Sequence, residues 1–194
     1  MNLTRIFSGS AWKGTKRYVK TQRIYEILRT LLLFSVSAAL FLGGLFSTGT
    51  RLNLLTVVAV LGILPASKSM VSAIMFCLHF GLSDESASKI EAHEGTLHCL
   101  YDLVFTSNEK SYDVGHLAIK GNTVCGFSEK KDFQEQKFYK HLDERLKADN
   151  YKNVNVKIFT DLGKYLDRLD QMQSLSCDES NTAGISETLK NISL

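Results

Sequence analysis

Two long apolar stretches, Thr30 to Phe46 and Leu54 to Leu82, lie close together near the start of the chain, separated by the connector Ser47 to Asn53. Thr30 to Gly49 carries no charge over 20 residues, and at about 1.5 Å per residue a helix of that length matches a hydrocarbon core of roughly 30 Å. The run is too long for the apolar part of a signal peptide, and no small-residue cleavage zone follows it, so it reads as a retained span. The second stretch would reach about 43 Å as a straight helix, more than a bilayer core requires. Pro65 near its middle removes a backbone donor, which favours a kinked crossing over a re-entrant hairpin with Lys68 at its tip. The spans are placed at 25–47 and 53–82, and in the kinked crossing Lys68 faces the partner helix or a wet cleft, because a lipid-facing ammonium is costly.

Beyond Leu82 the periodicity changes. Ser83 or Asp84 caps a short helix that runs to about His93 and ends at Gly95. Leu97–Thr106, Tyr112–Ile119 and Thr123–Phe127 read as strands, joined by turns at Asn108-Glu109-Lys110 and Lys120-Gly121-Asn122. Asp132 opens an amphipathic helix with Phe133, Phe138, Tyr139, Leu142 and Leu146 on one face. Asn153–Phe159 alternates as a strand, and Thr160 or Asp161 caps a helix with the stripe Leu162, Tyr165, Leu166, Leu169 and Met172. The expected class is α+β: two transmembrane helices, then a helix-βββ-helix-β-helix domain over 83–172. Consecutive strands favour an antiparallel meander, with the intervening helix able to cross over and make one parallel pair. Past Gln173 the sequence turns polar without periodicity, so 173–194 reads as a disordered tail.

Charge adds sidedness. Residues 1–82 hold 9 basic and 1 acidic residue, net +8, while 83–194 hold 14 basic and 19 acidic, net −5. Residues 1–24 form a basic interfacial segment: Arg5, Lys13, Lys16, Arg17, Lys20 and Arg23, with Arg29 following, stand against Glu26 alone, and the connector holds only Arg51. The positive-inside rule then puts both termini in the cytoplasm and the chain in the inner (plasma) membrane. Trp12, Tyr18 and Tyr25 suit a collar of rings at headgroup depth, with the cations on anionic lipid. The net-negative domain argues against nucleic acid as a partner. Of Cys77, Cys99, Cys125 and Cys177, the first falls inside a span, which leaves an odd number and fits reduced thiols.

Candidate chemistry is sparse. His93, His98, Cys99 and His116 do not make a zinc motif, because His93 and His98 are five apart and Gly95 breaks the helix between them. No glycine-rich phosphate loop and no Gly-x-Ser-x-Gly elbow is present. In the membrane part, Lys68 beside Pro65 is a candidate membrane site for a small solute or lipid.

One pattern points further. The helix-βββ-helix-β order, with Asp113 in Tyr112-Asp113-Val114-Gly115-His116-Leu117, the hairpin at Gly121-Asn122 and then Glu129-Lys130-Lys131, resembles the restriction-endonuclease-like, nuclease-related domains. The resemblance implies Asp113 and Glu129 as carboxylates holding Mg²⁺ and Lys131 as the lysine that stabilises phosphate charge. The leading expectation involves no metal or other cofactor and no enzyme activity: a membrane-anchored protein whose domain binds a protein partner or another copy of itself. A membrane-tethered, Mg²⁺-dependent nuclease or phosphodiesterase is the alternative.

Overall fold

The computed structural model describes residues 9–107 and 110–194, so Arg5 and the Asn108-Glu109 part of the expected turn lie outside the described residues. The chain separates into two compact units, one built on Val19–Phe80 and the other on Trp12–Tyr18 together with Gly81–Leu194.

The first unit pairs helix α1 (Tyr18–Thr48) with helix α2 (Leu54–Leu78). Both are long and apolar enough to cross a membrane, and only 11% and 17% of their most apolar windows are buried, unlike the core helices of a soluble domain. Leu31, Leu32, Val36, Leu61 and Leu64 all face outward. The Asn53 side chain caps α2 by accepting from the Thr56 N–H at 2.8 Å. Helix α2 runs unbroken through Pro65 and stops at the cap residue His79, so the chain forms neither a hairpin tipped by Lys68 nor a helix reaching Leu82. Its buried residues Ala66, Ser69, Ala73 and Phe76 recur every three or four positions, with Ala59 two turns before Ala66. Gly62 completes this seam, since a Cβ there would come 2.6 Å from Ser37 Oγ. Small residues at a seven-residue repeat let two backbones approach closely, and Thr30 and Ser69 join their hydroxyls across the seam at 2.9 Å. Arg23 donates to the Phe76 and His79 carbonyl oxygens at 3.0 and 2.7 Å, satisfying the open carbonyl end of α2.

The second unit carries α3 (Asp84–Glu91), β1 (His98–Thr106), β2 (Ser111–Lys120), β3 (Thr123–Phe127), α4 (Glu135–Ala148), β4 (Asn155–Phe159), α5 (Leu162–Gln173) and α6 (Thr182–Ile192). The sheet order is β1-β2-β3-β4, antiparallel up to β3 and parallel between β3 and β4. Gly121, at φ +58, supplies the left-handed residue of the tight turn between the Lys120↔Thr123 pair. One face of the sheet is covered by α4 and α6 through Phe138, Leu142, Leu146, Ile185 and Leu189. The other is covered by α3 and α5 through Ile90, Tyr165, Leu169 and Met172.

Face alternation slips between the Tyr101↔His116 and Leu103↔Val114 pairs: Leu100, Leu103 and Phe105 share one core, as do Val114 and Leu117. The slip occurs where Asp102 sits at φ 51, a conformation that Asp tolerates better than most residues. Its buried Oδ1 accepts the Leu82 N–H at 2.7 Å, and the Leu82 side chain lies against Gly115 so closely that a Cβ there would meet it at 2.7 Å.

Three expectations are corrected. Residues 173–194 are not a disordered tail: Ile185, Leu189 and Ile192 form an i, i+4, i+7 stripe that seats α6 on the sheet, within a composition too polar to advertise it. Tyr18 and Tyr25 are buried, leaving Trp12 as the one ring of the expected collar that is exposed. The basic segment is also engaged with protein: Lys13 donates to the Lys190 and Ser193 carbonyl oxygens, Lys16 pairs with Glu91, and Arg17 pairs with Asp84. Burial lowers the pKa of Lys13 from its ordinary value. Leu189→Ala is expected to cost about 2–5 kcal/mol in urea unfolding of the full chain, the usual range for emptying a buried leucine site; an unchanged midpoint and slope would restore the disordered tail.

Candidate functional site

Asp113 stands near the start of β2 with its side chain 10% exposed, and its Oδ2 lies 2.6 Å from Lys130 Nζ. Ser128 holds the adjoining backbone by donating its hydroxyl to the Asp113 carbonyl oxygen at 2.7 Å. Glu129 lies two residues past the end of β3 and is exposed. Its Oε1 accepts from Ser83 Oγ at 2.5 Å and from Ser83 N at 3.3 Å. Ser83 is the N-cap of α3, where a carboxylate meets unpaired N–H groups and the positive end of the helix. Lys131 and Asp113 line one cleft of about 400 Å³, together with Lys110, Lys130, Asp132 and Gln134. The fold therefore brings Asp113 and Lys131 together, while Glu129 is not among the residues lining that cleft. Asp113 is paired with a lysine and Glu129 with a helix cap, so a shared Mg²⁺ would have to displace both contacts.

Lys68 and Pro65 are exposed, off the Ala59–Phe76 seam that α2 buries, so the expectation of Lys68 facing the partner helix is corrected. A small apolar hollow of about 240 Å³ in the helical unit is lined by Phe34, Ser37, Ala38, Phe41, Ala59, Val60 and Ile63, without either residue.

A second group of polar residues lies on the α3/α5 face of the sheet. His116 on β2 is fully buried, with Nδ1 2.6 Å from Tyr165 Oη and Nε2 3.2 Å from Glu94 Oε1. Tyr101 donates its hydroxyl to the same Glu94 oxygen, and Cys99 completes the group: one ligand-type atom each from Glu94, Cys99 and His116 falls within 4.8 Å of the others. Burial lowers the His116 pKa against the opposing pull of Glu94. The Cys99 thiol is pushed up to about 12 by burial and by Glu94, and burial holds the Tyr165 phenol well above its usual range. His93 and His98 go elsewhere, to Asp170 at 2.9 Å and Ser186 at 2.8 Å. Cys99 and His116 were visible in the sequence as residue types. Glu94 was not, because only the left-handed turn at Gly95, φ +52, and the return of β1 bring it alongside them.

A cleft of about 570 Å³ runs between α4 and the ends of β1 and β2. Lys137, Lys140, His141 and Arg145 line it with Glu144, so a cationic surface sits on a domain that is net-negative over 83–194. No protein-family model, no curated protein and no solved structure matches the chain. If Glu129 serves the α3 cap, a double-mutant cycle of Ser83→Ala and Glu129→Gln on unfolding free energy should give a coupling of about 0.5–1.5 kcal/mol; strictly additive effects would release Glu129 for another role.

Proposed function

We propose that this chain is a two-span protein of the cytoplasmic membrane, with both termini in the cytoplasm, whose α+β domain docks an acidic segment of a protein partner. The carrying observation is the cleft of about 570 Å³ on α4, where, among the described residues, Lys137, Lys140 and Arg145 line it with Glu144. Opposite charge across a rim steers encounter and sets register, and the net-negative exterior of a second copy carries the same sign of charge as an acidic segment.

The topology has separate support. Trp12–Tyr18, before α1, and Gly81–Leu194, after α2, belong to one compact unit, which two crossings satisfy and a single crossing does not. Lys16 and Arg17 keep roughly half or more of their side-chain surface exposed while paired, at 43% and 65%, so contact with anionic lipid is compatible with their ion pairs. A second copy of the chain is the other occupant to distinguish.

The nuclease-like reading stands second, supported by Asp113 and Lys131 in one cleft and weakened by the separate engagement of Glu129. A photo-crosslinking residue replacing Lys140 in the full chain, in intact membranes, is expected to give discrete adducts that Lys137→Glu with Arg145→Glu abolishes. Adducts at twice the chain mass identify self-association. Adducts indifferent to charge reversal, or Mg²⁺-dependent cleavage of nucleic acid lost in Asp113→Asn, would overturn the proposal.

A further inference from the structure

We propose that Glu94, Cys99 and His116 form a binding site for a zinc-class divalent cation, with Tyr165 as the residue that positions the imidazole. The three ligand-type atoms lie within 4.8 Å of one another, and the His116 to Glu94 separation is already 3.2 Å. Bonds of 2.0–2.3 Å in a tetrahedron place ligand atoms about 3.3–3.8 Å apart, so the histidine and glutamate stand near a bound geometry and the thiol needs a movement of about 1 Å.

His116 carries the argument. Its Nδ1 is engaged by Tyr165, the outer contact that fixes ring orientation in metal-ligating histidines. Its Nε2, in a residue with no exposed surface, lies 3.2 Å from Glu94 Oε1 without the geometry of a full hydrogen bond, and the Cys99 sulfur falls within 4.8 Å of the group. A buried ring nitrogen facing a carboxylate and a sulfur, all three able to act as lone-pair donors, is an arrangement that a cation completes.

The charge balance is favourable. A divalent cation held by one carboxylate, one thiolate and one neutral imidazole makes a neutral centre, which a protein interior accommodates at far lower cost than an isolated ion. On binding, the Cys99 thiol loses its proton to solvent and the sulfur lone pair forms the metal bond; no electron is transferred. Mixed N, O and S ligation suits zinc, with cobalt(II) as its spectroscopic substitute, and disfavours magnesium or calcium. The Glu94 side chain is 20% exposed, which leaves the fourth position open to water or a small ligand.

The test uses the full chain in detergent, stripped with chelator and dialysed. Zn²⁺ alone should bind at one equivalent, and Co²⁺ should give a thiolate-to-metal charge-transfer band. Cys99→Ser should abolish that band, Tyr165→Phe should weaken Zn²⁺ binding about 10–100-fold, the usual effect of losing such an outer contact, and Cys77→Ser with Cys177→Ser should change neither. X-ray absorption of the Zn²⁺-loaded unmodified chain guards against a misfolded variant: one sulfur with nitrogen and oxygen neighbours is expected. A shell without sulfur, a band that persists in folded Cys99→Ser, or no saturable binding would overturn the site and leave a hydrogen-bonded polar cluster.

Discussion

Tyr101 donates its N–H to the Gly14 carbonyl oxygen at 2.9 Å, and farther along the same strand Leu194 donates its N–H to Val104 at 2.8 Å. The outer edge of β1 is thus covered by the segment that precedes α1 and by residues 193–194, with Lys13 joining those two segments through the Ser193 carbonyl oxygen at 2.7 Å. An uncovered sheet edge is a template for unwanted pairing. Here its covering requires chain from both sides of the helical pair, so closure of the domain depends on both flanks of the apolar insertion.

The same dependence explains the strained residue on β1. Asp102 adopts a left-handed conformation that costs on the order of 1–3 kcal/mol for a non-glycine residue, and in return its buried carboxylate receives the Leu82 N–H as the chain re-enters the domain. Leu82 fills the space that the missing side chain of Gly115 leaves open. The slip in strand alternation then sends Leu103 and Phe105 to the α4/α6 core while Tyr101 and His116 stay on the α3/α5 face, where the Glu94–Cys99–His116 group forms. One constraint on where the chain enters therefore also sets the chemistry of the buried face.

Much of this was legible in residue order. The charge-free run within α1, the Ser83 cap and the limits of β3 follow from local chemistry and agree with the structure, although α1 begins at Tyr18, ahead of the expected start at 25. The misses share a physical origin in long-range contact. Helix α6 is seated by three apolar side chains whose partners lie on α4 and β1, so its polar composition alone suggested disorder. Lys13, Lys16 and Arg17 were legible as a basic segment, but not their partners more than 60 residues away in sequence, such as Asp84 for Arg17. Asp113 and Glu129 looked like a pair because the spacing between them does not reveal Lys130 or the α3 cap. For Glu94 no periodic signal exists, since it lies on a turn.

A pair of helices long and apolar enough to cross a membrane, inserted into a domain that both its flanks help to close, is the central claim, and residue-resolved amide hydrogen exchange on the full chain tests it most directly. The Tyr101 N–H and the Leu194 N–H should exchange as slowly as the amides paired between β1 and β2, because each is bonded across the β1 edge. Exchange of these two amides at the rate of unstructured chain, with the β1–β2 ladder still protected, would show that the flanking segments do not close the sheet and would contradict the account.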